Sequence, residues 1–159
     1  MKTTLFSVRL LSVALLSAGL FASCKKDSNN PSPNNPVPGT GKNVKLTVRV
    51  TGYNDAESDY ISFTVAGGKV NASSTTWKVN GVTRENEDGI GMGKDELGGG
   101  QTIVIESIKP VDIAIAGYQF INFGAPMSIY YKAEIDGKVV NEDSQTLGDD
   151  KQAAKRYSY

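Results

Sequence analysis

The chain of 159 residues contains no histidine, and this absence removes several kinds of active site. Histidine is the commonest general base near neutral pH and a common ligand of catalytic zinc. Hydrolase triads of the histidine type are therefore excluded, and a catalytic zinc site lacks suitable ligands. Two carboxylates that flank a sugar can still hydrolyse a glycosidic bond. Glu106, Asp112 and Glu134 are candidates, although each lies on a polar strand face where carboxylates are ordinarily solvated.

Cysteine and long apolar runs are also scarce. Cys24 is the only cysteine, so the chain forms no internal disulfide and its stability depends on the apolar core. The main apolar run, residues 10–20, is shorter than the ~18 residues that a membrane-spanning helix needs. A transmembrane helix is therefore not expected.

The first residues nevertheless have the parts of a secretion signal: a basic start, an apolar centre and small residues before a cleavage point. In order these parts are Lys2 and Arg9, residues 10–20, and Ala22 and Ser23. Because Cys24 follows directly, residues 1–24 resemble the signal and lipobox of bacterial lipoproteins that signal peptidase II processes. The resemblance implies that residues 1–23 are removed and that Cys24 carries a diacylglyceryl thioether. The alternative is an ordinary secretory signal that happens to contain a cysteine.

The residues after the cysteine bear on where the protein is sorted. Lys25 stands where many proteobacterial lipoproteins that stay in the inner membrane carry aspartate, so the outer membrane is favoured. The pair Lys26 and Asp27 resembles the surface-export signal of Bacteroidota lipoproteins, with one acidic residue where that signal has two. The expected location is a lipid anchor in the outer membrane, either exposed at the cell surface or facing the periplasm, with the surface favoured.

Basic and acidic residues are equal in number, 17 of each. No cluster of Lys and Arg with interleaved aromatics suggests a nucleic-acid surface.

Composition divides the rest of the chain into a tether and one domain. Residues 24–43 are rich in Asn, Pro, Ser and Gly, which predicts an extended linker behind the lipidated cysteine. Residues 44–159 are long enough for one core and too short for two.

Apolar residues in that domain recur with a period of two, which is typical of half-buried strands. The clearest run starts at Val44 and alternates through Val50. Asn80-Gly81 and Asp136-Gly137 predict tight hairpin turns, whereas residues 149–155 could hold one helical turn. The pattern predicts an all-β, antiparallel sandwich of about seven or eight strands. The C-terminal half resembles the small immunoglobulin-like sandwich lipoproteins of Bacteroidota, a resemblance that implies a fold without an assigned activity.

One segment of the domain is both acidic and rich in glycine, residues 84–96. Its carboxylates Glu87, Asp88, Asp95 and Glu96 are the candidate ligands of a hard cation such as Ca²⁺. The EF-hand pattern does not fit, because Arg84 stands where the first aspartate belongs. A mobile acidic loop without a metal is the more ordinary interpretation.

Aromatic residues supply the candidate ligand contacts, because their flat faces suit stacking. Trp77 and Tyr130 are the two we single out from a set that also contains Tyr53, Tyr60, Tyr118, Tyr157 and Tyr159. Trp77 is in phase with Val79, which favours the core. Tyr130 is out of phase with Tyr131 and is the better candidate for exposure.

These patterns favour a non-enzymatic, lipid-anchored module that binds a protein or a glycan, or has a structural role, with no cofactor and no nucleic acid. The membrane is its expected partner through the lipid. The alternative is a carbohydrate-binding protein, with or without calcium, or an accessory protein that processes glycans with carboxylates.

Overall fold

Alternating sequence becomes alternating burial in the strands Val44–Thr51, Tyr60–Gly68, Ile113–Asn122 and Met127–Ile135. In the computed structural model, which describes residues 41–68 and 76–159, the first strand buries Val44, Leu46, Val48 and Val50 and turns its polar residues outward. All of these residues belong to the compact unit Pro36–Tyr159. Cys24, its neighbours from Ala22 to Asp27, and the predicted signal and linker up to residue 40 lie outside the described residues.

Ten strands and one short helix make up the described part of the chain. They are β1 (Val44–Thr51), β2 (Tyr60–Gly68), β3 (Trp77–Val79), β4 (Val82–Thr83), β5 (Gly89–Met92), α1 (Lys94–Leu97), β6 (Thr102–Ser107), β7 (Ile113–Asn122), β8 (Met127–Ile135), β9 (Lys138–Leu147) and β10 (Lys151–Ser158). A 3-10 turn, Asp55–Glu57, interrupts the loop between β1 and β2. Within these ranges no helix is long and apolar enough to cross a membrane.

The strands form two antiparallel sheets. The larger has the order β4-β3-β6-β1-β8-β9, and the smaller has the order β10-β7-β2-β5. Residues 80–81 connect β3 to β4 and residues 136–137 connect β8 to β9, and both glycines have positive φ. The predicted all-β antiparallel sandwich and its two hairpin turns are thus confirmed.

The core lies between the inner faces of the two sheets. Its largest fully buried side chains are Trp77, Tyr131, Phe63 and Phe120. Tyrosines from β7, β8 and β10 extend this core toward the free edges of β9 and β10, and Tyr131 and Tyr159 share a hydrogen bond of 2.7 Å between their hydroxyls. Burial raises the pKa of Tyr131 and of Tyr118, so both phenols stay neutral. The Tyr118 hydroxyl donates to Asp143 of β9.

Two expectations about local structure need correction. The described residues contain ten strands rather than seven or eight, because short segments such as β4 and β5 pair at the sheet edges. Residues 151–155 are extended in β10 rather than helical, since they pair with β7 from Asn122 to Tyr118. Edge pairing of this kind depends on the partner strand and is not visible in a short run of residues.

Candidate functional site

Polar and aromatic side chains gather at one end of the sandwich, where β1 passes into β2. A cavity of about 380 Å³ opens there between this loop, the first residues of β2 and the start of α1. Its lining includes Tyr53, Asp55, Tyr60 and Lys94. We call this cavity the end cleft.

Local backbone geometry builds the loop that forms one wall of the end cleft. Asn54 accepts a hydrogen bond from the backbone N–H of Ala56 and so caps the 3-10 turn, which ends at Ser58 with φ of 67°. Gly52 has φ of 85°, and a Cβ there would lie 2.4 Å from the carbonyl oxygen of Pro126. Glycine therefore permits the β1–β2 loop to approach the β7–β8 loop closely.

Asp59 holds these two loops together from a position that is only 7% exposed. One carboxylate oxygen accepts from the backbone N–H of Asn54 at 2.9 Å, and the other accepts from that of Phe123 at 2.8 Å. Glu57 adds a third link by accepting from the N–H of Ala125 at 3.1 Å. The carboxylates of Glu57 and Asp59 are thus engaged as acceptors of backbone hydrogen bonds.

An ion pair lies across the end cleft. Asp55 accepts a hydrogen bond from the Tyr53 hydroxyl at 2.7 Å and lies 3.0 Å from Nζ of Lys94. These two hydrogen bonds lower the pKa of Asp55, and the contact with Asp55 raises the pKa of Lys94. Burial, followed by the bond to Asp55, raises the pKa of Tyr53 to about 12. All three groups keep their ordinary protonation states at neutral pH.

Tyr60 stands at the edge of the end cleft with 48% of its surface exposed. It is the first residue of β2 and faces away from the core, because Ile61 and Phe63 face inward. Its exposed ring beside fixed polar groups is a combination that suits ligand contact.

A second cavity of about 390 Å³ lies on the outer face of the smaller sheet and shares Ser62 with the end cleft. Gly117 of β7 pairs with Thr64 of β2 on one side and with Arg156 of β10 on the other. Since glycine has no side chain, the face is hollow between Thr64 and Arg156. We call this second cavity the sheet trough.

Trp77, one of the two aromatic residues singled out from the sequence, is not available to a ligand. Its side chain is fully buried, and its indole Nε1 donates to the backbone carbonyl of Asp88 at 2.9 Å. The candidate role in stacking is therefore wrong, and core packing, indicated by its phase with Val79, is correct.

Tyr130 faces outward, as its alternation with Tyr131 predicted. It is half-buried on the larger sheet, and its hydroxyl donates to Oε1 of Glu142 at 2.9 Å. It lines a cavity of about 210 Å³ together with Arg49 and Ser144. This cavity is smaller than the end cleft and lies on the larger sheet.

The predicted acidic loop is in large part regular structure. Glu87 and Asp88 precede β5, whereas Asp95 and Glu96 follow it in α1. Glu87 pairs with Arg84 at 3.2 Å, Asp88 accepts from Thr76 Oγ1, and Glu96 accepts from the N–H of Gly93 at 3.0 Å. Within residues 41–68 and 76–159 no three acidic, histidine or cysteine side chains are grouped to hold a metal ion. The segment is not a single loop, because Ile90 and Met92 pair with β2 and are buried.

The carboxylates considered for glycan hydrolysis lie on the larger sheet. Glu106 and Glu134 are on the two strands that flank Lys45 of β1. Glu106 pairs with Lys45 at 3.5 Å and Glu134 pairs with Lys132 at 3.1 Å. Asp112 lies in the connection between β6 and β7 rather than on a strand of the larger sheet. The three therefore occupy separate ion-paired or connecting positions.

Comparisons with known proteins give information about the fold and not about the function. No family model matches the chain, and no curated protein matches it. The calcium-bound form of a protein from Parabacteroides distasonis is similar in structure, with a TM-score of 0.57 and 15% identity over 82% of this chain and 98% of the other.

Two further solved structures are similar at 16% identity. One is a DUF4425 family protein from Bacteroides ovatus, with a TM-score of 0.54 over 76% of this chain and 95% of its own. The other is a domain of unknown function, DUF4425, from Bacteroides vulgatus, with a TM-score of 0.52 over 75% and 93%. The sandwich is thus one that Bacteroidales proteins also adopt, as the resemblance to Bacteroidota proteins suggested.

Proposed function

We propose that this protein is a lipid-anchored, non-enzymatic binding module of the outer membrane that takes a glycan at the end cleft. The observation that carries the proposal is Tyr60, a half-exposed aromatic ring at the rim of a cavity of about 380 Å³. Sugars present both apolar faces and hydroxyl groups, so they suit a ring beside a fixed acceptor and a fixed donor. Asp55 and Lys94 are that acceptor and donor.

The way the chain enters the domain supports an anchored module. Lys42 forms an isolated antiparallel β-bridge with Val111, and β1 then runs from Val44 to Thr51 at the end cleft. The described part of the domain therefore begins at the end of the sandwich opposite the cleft. A lipid on Cys24 would then be connected to the domain at the end away from the cleft. We expect the domain itself to be an immunoglobulin-like sandwich.

Protonation supports a binding role over a catalytic one. A general acid or base works best with a pKa near the operating pH. In the end cleft the pKa of Asp55 is lowered and the pKa values of Tyr53 and Lys94 are raised. Each of the three pKa values is therefore further from neutral pH than the ordinary value of its group. Fixed charges and hydrogen bonds of this kind hold a ligand without exchanging protons with it.

The test is polysaccharide binding by the full-length protein in detergent, measured by calorimetry and affinity electrophoresis. Tyr60→Ala should weaken binding at least about tenfold, as expected for the loss of a ring contact. Tyr130→Ala, a matched change on the opposite sheet, should leave binding unchanged. Loss of binding in Tyr130→Ala alone would move the site to the larger sheet, and no binding by the wild type to any polysaccharide would reject a glycan ligand.

Calcium binding is a second candidate, because one structural neighbour is a calcium-bound form. The candidate ligands in this chain remain Glu87, Asp88, Asp95 and Glu96, which β5 separates into two pairs. A Tm that rises with CaCl2 but not with MgCl2, and that stops rising in Asp88→Asn or Asp95→Asn, would support a site at that residue. An unchanged Tm would count against a calcium site in this chain.

A further inference from the structure

The two sheets differ in the charges that their strands carry. The strands of the smaller sheet, β2, β5, β7 and β10, contain no Asp or Glu, whereas β10 contains Lys151, Lys155 and Arg156. The larger sheet has acidic residues in β6, β8 and β9. An anion that approaches the outer face of the smaller sheet therefore meets cations and no carboxylate from its strands.

Edge protection accounts for part of this charge but not for Arg156. Lysines on an edge strand discourage pairing with another chain, and β10 is such an edge. Lys155 also has an internal partner, since its Nζ bonds Asp143 of β9. Arg156 is different, because it pairs with Gly117 on the outward face and lines the sheet trough. Among the described residues it has no carboxylate partner.

Further polar side chains line the same trough. The hydroxyls of Ser62 and Thr64 and the amide of Gln119 lie around it. In the cross-strand register Ser62 is opposite Gln119, and Thr64 is opposite Gly117. The trough therefore offers a cation without a carboxylate partner at one side and neutral donors and acceptors beside it. Guanidinium groups bind carboxylate and sulfate through two parallel hydrogen bonds, which makes Arg156 suited to an acidic sugar.

We propose that the sheet trough binds the acidic group of an anionic polysaccharide, with Arg156 as its cationic contact. The proposal rests on glycan binding at the end cleft and specifies the ligand class. Because Ser62 lines both cavities, one extended chain reaches from the ring of Tyr60 to Arg156 across adjacent strands. Carboxylate and sulfate esters share the required chemistry, and the experiment separates them.

The probes are pairs of polysaccharides that differ in charge: polygalacturonate with its highly methyl-esterified form, and dextran sulfate with dextran. The full-length protein in detergent should bind one charged member more tightly than its neutral counterpart. Which charged polysaccharide binds distinguishes a carboxylate ligand from a sulfate ligand. Arg156→Gln should weaken that binding roughly tenfold, as expected for one charge-assisted contact, and should reduce its salt dependence.

Arg49→Gln is the matched control, because it removes the same group from the outer face of the larger sheet. It should leave affinity within about twofold of the wild type, a change within the small effect expected of a distant charge. Thr64→Trp, which fills the trough from the side opposite Arg156, should also abolish the preference for the charged polysaccharide. Tm values equal to that of the wild type would show that these variants fold.

Each contrary result has a distinct meaning. Equal binding of charged and neutral polysaccharides, unchanged in Arg156→Gln, would overturn the acidic ligand while glycan binding at Tyr60 stands. Equal weakening by Arg49→Gln would show that only overall charge matters and would overturn the site. Tighter binding of poly-glutamate than of any polysaccharide would assign the trough to an acidic peptide instead. No binding of any polysaccharide would reject both proposals.

Discussion

Asp143 makes side-chain hydrogen bonds that link the two sheets. Its carboxylate on β9 accepts from the Tyr118 hydroxyl on β7 at 2.6 Å and from Nζ of Lys155 on β10. These bonds, first that of Lys155 and then that of Tyr118, lower the pKa of Asp143. The ionised carboxylate is therefore favoured in the folded state.

Asp143→Asn should lower the free energy of unfolding by about 1–2 kcal/mol at pH 7, the range of a partly exposed charged hydrogen bond. A lowered folded pKa means that this stability is present above the unfolded pKa, near 3.8, and is lost as pH falls through the folded value. Urea denaturation at pH 7 and at about pH 3 measures it. The difference in free energy of unfolding between the wild type and Asp143→Asn should be smaller in acid. Asp149→Asn, in the β9–β10 turn, should have the same free energy of unfolding as the wild type at both pH values.

Asp59 makes a comparable test possible at the end cleft. Asp59→Asn replaces one acceptor oxygen with an amide donor that faces the N–H of either Asn54 or Phe123. Because Asp59 is almost fully buried, we expect a loss of about 1–3 kcal/mol and faster hydrogen exchange in both loops. Asp150→Asn, in an exposed turn whose φ of 54° asparagine tolerates, is the control. Equal exchange in the two variants would contradict a role for Asp59 in joining the loops.

At the scale of elements, the hairpins were readable from dipeptides because their backbone requirement is local. Asp136 and Gly137 have φ of 48° and 77°, which matches a turn that needs positive φ at both central residues. The helix α1 was not predicted. Its four residues are held by Glu96, which accepts from the N–H of Gly93, and by the burial of Leu97. A single turn of this kind has no periodicity to detect.

Gly137→Ala should destabilise the domain by about 1–2 kcal/mol, because an L residue with a side chain is strained at positive φ. Gly148→Ala is matched, since an added Cβ meets nothing within 4 Å at either position but Gly148 does not have positive φ. Gly148→Ala should therefore be close to neutral. Thermal denaturation of both variants measures the difference, and equal Tm values would show that the β8–β9 turn does not require glycine.

At the scale of the whole molecule, we expect a lipid on Cys24 to anchor the protein in the outer membrane. The side of that membrane on which the domain lies determines which ligands it can reach. Palmitate labelling should mark the wild type and not Cys24→Ala. Protease treatment of intact cells, with mass spectrometry of the released peptides, should release peptides of residues 44–159. Release only after the outer membrane is opened would place the domain in the periplasm and restrict its glycan partners to those of the envelope.

The sequence by itself determined the properties that depend on local rules. Alternation of apolar residues predicted the sandwich and placed Tyr130 outward and Trp77 in the core, because side chains of a strand alternate between faces wherever the strand pairs. The absence of histidine excluded histidine-dependent chemistry in any fold. Positive φ at asparagine, aspartate and glycine is a property of those residues, so the two hairpin turns were also determined locally.

Only the tertiary structure decided which residues share a cavity. Tyr60 and Lys94 lie far apart in the chain and meet because β5 pairs with β2. Arg156 and Thr64 face each other across Gly117 because β7 lies between β10 and β2. Strand order follows from how the whole set of apolar faces packs into one core, and no segment encodes that order by itself. For the same reason the separation of the acidic residues by β5 could not be read from their spacing.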